Sequence, residues 1–181
     1  MPRITVVGVD HDLQWKDDPT GHLKAVLSAE LVAGNFGLMA EEALGLPTTV
    51  GQRLACKLNI PWLQVEMSIS EREKAGITRR VSSPISPLED IGGITEYDLT
   101  QDGLREEHWI QEILRWRVDQ VLLVCGFLHI SPVAGKFRGL EWAAKEVDIS
   151  ILDWYRDAFG VCEIKEENGR RWIEQRKPPR K

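Results

Sequence analysis

Cysteine is scarce in this chain, basic charge is not in excess, and long apolar runs are missing; each shortage excludes a class of protein. The 181 residues hold three cysteines, Cys56, Cys125 and Cys162, far apart and without a Cys-x-x-Cys pair. An odd number of scattered thiols gives no disulfide framework, and reduced thiols in a cytoplasmic protein are the expectation. No apolar run approaches the roughly 20 residues that span a bilayer, so no membrane segment is expected. A strand-like segment follows directly on Met1-Pro2-Arg3, and no signal peptide is expected. The net charge of −5 argues against general nucleic-acid binding, which needs a basic face to neutralise phosphates. The basic stretch from Arg170 to Lys181 reads as a solvated end rather than a binding arm. What remains is a soluble globular composition, 43% apolar and 28% charged, with length for one well-packed domain. Tryptophan is the residue in excess, at seven, enough for the core and one or two pocket walls.

Strand and helix patterns alternate along the chain. Ile4-Thr5-Val6-Val7-Gly8 reads as a buried strand, and Leu23, Val26, Leu27 and Leu31 recur at helical spacing up to Gly34-Asn35. Residues 36–40 form a second strand, which delivers Glu41-Glu42 at its carboxyl end. A helix follows over 50–58. Residues 60–65 are a third strand, at a sheet edge or strand start because of Pro61. A short helix runs from Ser70 to about Gly76. Residues 82–103 read as a long loop rich in proline, glycine and acids, suited to a lid or binding loop. A strong helix over 104–117 carries Trp109, Ile113 and Trp116 on one face. Val121-Leu122-Leu123-Val124-Cys125 is the clearest buried strand. A helix over 132–145, a strand over 147–152 and a helical turn over 153–159 come next. Asn168-Gly169 between strand-like runs suggests a hairpin, with a continuing helix as the competitor. The expected fold is α/β: a mostly parallel sheet flanked by helices in one domain over 1–160, then a hairpin or helix and basic tail over 161–181.

Ligands of such sheets bind beyond the carboxyl ends of the strands. There the sequence repeats one tetrapeptide pattern, Gly-x-x-His, as Gly8-Val9-Asp10-His11 and as Gly126-Phe127-Leu128-His129. Glycine before each histidine allows a sharp turn and a close ligand approach. The candidate site joins His11 and His129 to Glu41 or Glu42. Alternation along an extended backbone predicts that only one of these two glutamates faces inward, the other being a solvated charge. Two imidazoles and a carboxylate can hold a divalent metal with an open position, the ligands being His11, His129, Glu41 and Glu42. The same groups can run acid–base chemistry without one; the sequence leaves both open. Arg105 is the next candidate, as a clamp for an anionic substrate or a support for an oxyanion. Asp10 is as suited to capping the next turn as to reacting. His22 and His108 read as surface residues, and Cys125 as inert packing.

The helix segment Leu104-Arg105-Glu106-Glu107-His108-Trp109 and the strand leading into Gly126-Phe127-Leu128-His129 resemble the helix–strand signature of the TraB/TIKI-like group, within the wider set that contains ChaN and the erythromycin esterases. That pattern has an arginine opening a helix, a hydrophobic strand, then Gly-x-x-His. An early Gly-x-x-His, here Gly8 to His11, and a glutamate at the next strand end, here Glu41 or Glu42, belong to it too. Glu106 stands where the TraB-type pattern usually has asparagine. The resemblance implies an α/β fold with its site at the strand ends, and hydrolysis as the leading activity. Members are metal-dependent proteases, lactone-opening esterases or haem-associated proteins.

The leading expectation is therefore a cytoplasmic hydrolase of an ester, lactone or peptide bond in a small-molecule or peptide substrate, with a two-His/Glu site and a divalent metal as a candidate cofactor. The alternative is a non-catalytic protein that holds a ligand in the same pocket or docks a partner through Trp109, Trp116 or Trp172. Nucleic-acid processing is the weakest reading, and self-association into a homo-oligomer is left open.

Overall fold

The computed structural model describes residues 1–15, 21–43, 48–77, 95–167 and 170–176. Its strands are β1 (Arg3–Val9), β2 (Leu38–Glu41), β3 (Trp62–Gln64), β4 (Thr95–Asp98), β5 (Gln120–Gly126), β6 (Ala143–Asp148), β7 (Val161–Glu167) and β8 (Arg170–Arg176). Its α-helices are α1 (His11–Trp15), α2 (His22–Ala33), α3 (Val50–Lys57), α4 (Ile69–Lys74), α5 (Leu99–Leu114), α6 (Ile130–Gly139) and α7 (Asp153–Phe159). Five strands make one sheet in the order β3-β2-β5-β1-β6, and every pair in it is parallel. The α/β expectation therefore holds.

β1 and β5 are buried along their length after the first residue. Helices cover both faces of a parallel sheet, which is why these strands read as continuous apolar runs rather than alternating ones. The core draws Val6, Val7, Leu122 and Leu123 from the sheet, Leu23 and Leu27 from α2, Trp109 and Ile113 from α5, and Phe137 from α6. β3 lies at the sheet edge, as Pro61 suggested: proline cannot donate, but its carbonyl accepts the Met39 N–H at 2.9 Å. Ser68 and Glu71 close a reciprocal capping box at the start of α4. Among the described residues no helix is long and apolar enough to cross a membrane.

Three boundaries depart from the sequence expectations. The helix expected over 132–145 ends at Gly139, and Ala143–Asp148 pairs with β1 instead. Ala143, Ala144, Lys145 and Glu146 are good helix formers, but an open sheet edge beside β1 overrides that preference. The strand expected over 147–152 is consequently displaced, and Ile149–Ile151 is a 3-10 turn. The loop expected over 82–103 is in fact β4 and the first turns of α5 from residue 95 onward; residues 82–94 lie outside the described residues. Gly103 suggested a loop but sits inside α5. The expected hairpin is present as the antiparallel pair β7–β8, with Glu167 opposite Arg170; Asn168-Gly169 itself lies outside the described residues. β8 also pairs with β4, so backbone pairing crosses the boundary placed at residue 161.

The first Gly-x-x-His turn depends on an absent side chain. A Cβ at Gly8 would fall 2.0 Å from Ile130 Cδ1 and 2.4 Å from Ile130 Cγ1. Overpacking of this kind costs about 1–3 kcal/mol. Gly8→Ala should lower stability by that amount in denaturant titrations. The double variant Gly8→Ala/Ile130→Ala should lose less than the sum of its single variants, since the clash goes with the Ile130 side chain; strict additivity would show that Gly8 serves another purpose.

Candidate functional site

Three adjacent central strands, β2, β5 and β1, end at one edge of the sheet. The next residues bring Glu42 directly after β2, His129 three residues after β5 and His11 two residues after β1. Glu42 occupies the centre. Its Oε1 accepts from Arg105 Nη2 at 2.5 Å, and its Oε2 accepts the Gly126 N–H at 2.9 Å. His11 Nε2 lies 3.6 Å from Oε2, and His129 Nε2 lies 3.9 Å from Oε1. Residues far apart in sequence thus face one buried carboxylate. Burial alone would push the Glu42 carboxyl up. The charges of His11, His129 and Arg105 and the Gly126 N–H outweigh it and hold the group down at about 2.

Arg105 comes from α5 and turns inward. Nε and Nη2 donate to Glu66, Nη1 donates to Asp102 at 2.9 Å, and Nη2 also reaches Glu42. These four hydrogen bonds leave one of its five N–H groups uncommitted. Burial opposes its charge, but Glu42, Glu66 and Asp102 raise its pKa above the ordinary value. Trp109 lies under the guanidinium, 5.3 Å away. Arg72 completes the network with a 2.9 Å ion pair to Glu66. The guanidinium serves as a brace for Glu42, so the anion-clamp role expected for Arg105 has little free donor capacity behind it.

The two histidines sit in different surroundings. His129 is 4% exposed, whereas His11 is 40% exposed and forms the rim. His129 Nδ1–H donates to Glu106 at 2.8 Å, and its ring meets Trp109 edge-on at 4.8 Å. Burial disfavours the imidazolium, but the Glu42 charge and the Glu106 bond overcome that and raise its pKa. His11 Nδ1 lies 2.6 Å from Gln14 Oε1, one turn along α1.

Neither glycine is there to bend the chain. Gly126 has φ −61 and ψ 151, which any residue can adopt. A Cβ at Gly126 would instead fall 2.8 Å from His11 Nε2. Gly8 makes room for Ile130, next to His129, and Gly126 makes room for His11. Each motif's glycine thus accommodates the other motif's turn, and the space expected for a ligand is taken up by these side chains.

Both glutamates are buried, which overturns the expectation of one solvated charge. Alternation sends them to different partners rather than sending one to water. Glu41 Oε2 accepts from Thr49 at 2.5 Å and from Trp62 Nε1 at 2.9 Å, and Oε1 accepts from Gln14 Nε2 at 3.1 Å. Burial still raises its pKa, against these three bonds and the His11 charge. Asp10 is a cap: Oδ1 accepts the Asp12 N–H at 3.0 Å, and Oδ2 accepts from Tyr155. Cys125 is buried and its thiol pushed up by burial, as expected of packing. His22 stacks on Trp154 at 4.9 Å. Trp116 is 42% exposed, off the buried face shared by Trp109 and Ile113.

Sequence reasoning missed Gln14, Glu66, Asp102 and Glu106. Two of them carried a signal: Gln14 and Asp102 stand three residues from His11 and Arg105, one helical turn away. Of the four expected metal ligands, His11, His129 and Glu42 gather at one point and Glu41 is turned away from them. Glu41 is committed to Thr49, Trp62 and Gln14, and both Glu42 oxygens are engaged by Arg105 and Gly126. Among the described residues no group of three or more His, Cys, Asp or Glu could hold a metal ion. Comparison with family models, curated proteins and solved structures gave no match, so the TraB/TIKI-like resemblance rests on its residues and their spacing.

The depressed Glu42 pKa has a defined consequence. Its stabilisation is fully present above the ordinary carboxylate value of 4.5 and is lost as pH falls toward about 2. Glu41, shifted upward, has the opposite sign. Stability measured by denaturant between pH 6 and pH 2 should fall steeply in the wild type, less steeply in Glu42→Gln and more steeply in Glu41→Gln. An unchanged slope in Glu42→Gln would show that the carboxylate is not held ionised.

Proposed function

We propose that this protein is a cytoplasmic hydrolase that cleaves an ester, lactone or peptide bond in a small-molecule or peptide substrate by acid–base chemistry centred on His11 and Glu42. One observation carries the reading: His11, at the solvent-facing rim, and Glu42, ionised within, present Nε2 and Oε2 to each other at 3.6 Å. That gap is beyond a direct hydrogen bond; a water that both atoms accept from needs them about 4.5 Å apart, a short outward swing of the half-exposed His11 ring. In this scheme His11 takes a proton from the water as its oxygen attacks the carbonyl carbon. The leaving oxygen or nitrogen then receives that proton from His11 as its bond breaks. Glu42 orients the water and offsets the imidazolium charge. Arg105 and His129 stand behind Glu42 and keep it fixed and ionised. The TraB/TIKI-like pattern of two Gly-x-x-His histidines, a glutamate and an arginine on the helix before the second histidine supports hydrolysis, although Arg105 lies inside α5 rather than opening it.

No step in this scheme passes through a metal; of the expected ligands, the carboxylates of Glu41 and Glu42 are already engaged by protein donors. Elemental analysis of the purified protein, beside His129→Ala, checks that point: bound metal in stoichiometric amount that disappears in the variant would replace the acid–base scheme. Screening esters, lactones and peptides should find turnover, with kcat/KM about 10²- to 10⁴-fold lower in His11→Ala and in Glu42→Gln. Gly126→Ala should remain folded but lose activity, because its methyl displaces His11. Full turnover by folded His11→Ala would sink the reading. A ligand retained unhydrolysed by wild-type protein in native mass spectrometry would point to the non-catalytic alternative.

A further inference from the structure

Gln14 is fully buried, although a glutamine on a five-residue helix would ordinarily be solvated. Its amide nitrogen faces two acceptors, Glu41 Oε1 at 3.1 Å and the Glu42 backbone carbonyl at 3.3 Å. The carbonyl is an acceptor in every protonation state, so the NH2 end must point there. The amide oxygen is thereby turned to His11 Nδ1, 2.6 Å away. An amide oxygen only accepts, which obliges His11 to carry a proton on Nδ1. The lone pair of the neutral ring is then on Nε2, the atom facing Glu42 Oε2 and kept clear by Gly126.

We infer that Gln14 is a positioning residue that selects the Nδ1–H tautomer of His11, so that Nε2 is presented as the proton acceptor. Glu41 stands behind it, held in turn by Thr49 and Trp62. This gives Glu41 a purpose that contact with substrate does not require. The relay Glu41–Gln14–His11 has the logic of a carboxylate orienting a histidine, with an uncharged amide inserted between them. His129 receives its carboxylate directly, from Glu106. The functional meaning of the relay rests on the reading of His11 as the base; the tautomer itself is a property of the free protein.

Nitrogen-15 NMR of the imidazole rings, at a pH where His11 is neutral, reads that property without substrate. His11→Ala assigns the signals. Wild-type His11 should be protonated on Nδ1. Gln14→Glu keeps an acceptor at the same position and should keep the tautomer. Gln14→Leu removes the acceptor and should return the ring to the Nε2–H form that predominates in free histidine. On a substrate found by screening, Gln14→Leu should lower kcat/KM by about 10- to 100-fold, with Gln14→Glu recovering part of the loss. Protonation of wild-type His11 on Nε2 would overturn the inference even if no variant folds, as would a persistent Nδ1–H tautomer in folded Gln14→Leu. Either result leaves the hydrolase reading to its own test, and failure of the hydrolase screen leaves the tautomer result standing.

Discussion

A carboxylate removed from water needs compensating charge and hydrogen bonds, and Glu42 organises the carboxyl edge of the sheet through that need. Uncompensated, a buried ionised carboxylate is so unfavourable that it would neutralise itself by taking up a proton. Arg105 and the Gly126 N–H satisfy Glu42 directly, and the two histidines add positive charge around it. Arg105 is itself buried charge and brings in Glu66 and Asp102; Glu66 then brings in Arg72. The chain of compensation ends at Arg72 on α4, itself buried and donating to the Met67 carbonyl. It ties the ends of β2, β3 and β5 to α4 and α5. Such a network is weak evidence for net stability, because a well-packed apolar replacement often does as well. Its value lies in fixing one carboxylate in one place.

The second constraint is steric and links the two histidine turns. β1 and β5 are neighbours in register, with Gly8 opposite Cys125 and Val9 opposite Gly126. A turn leaving either strand therefore crosses the end of the other. Gly8 admits Ile130 and Gly126 admits His11, so neither turn can be built without the other's glycine. The repeated tetrapeptide is one interlocked structure, assembled from two pieces of sequence 118 residues apart.

Much of this was legible in the sequence, and the rest was hidden for identifiable reasons. The buried strands β1 and β5, the edge position set by Pro61 and the β7–β8 hairpin follow from local chemistry, and the structure contains them. β6 was not readable, because Ala143 to Glu146 favour helix and only the neighbouring β1 makes them a strand. His11, His129 and Glu42 could be named from strand ends, and Arg105 from a helix whose start the sequence places at 104 and the structure at Leu99. Their partners could not, with the exception of the helical pairs His11–Gln14 and Asp102–Arg105. Glu66 and Glu106 look like any surface acid until Arg105 and His129 are seen to need them. Glu41 was misjudged for a related reason: alternation predicts opposite directions, but opposite directions mean water only where nothing covers the second face, and here α3 and Trp62 cover it.

The same distribution of partners explains how two histidines beside one carboxylate avoid doing the same work. His129 is enclosed, bonded to a carboxylate through Nδ1 and close to Glu42 through Nε2. Burial and the Arg105 charge oppose its cation, but Glu42, Glu106 and Asp102 favour it and raise its pKa. His11 reaches solvent and leans on an amide rather than a carboxylate. The deep histidine is paired with a carboxylate and the rim histidine with an uncharged amide. That asymmetry originates in the residue three places along α1 being glutamine, while α5 supplies a glutamate to the other ring.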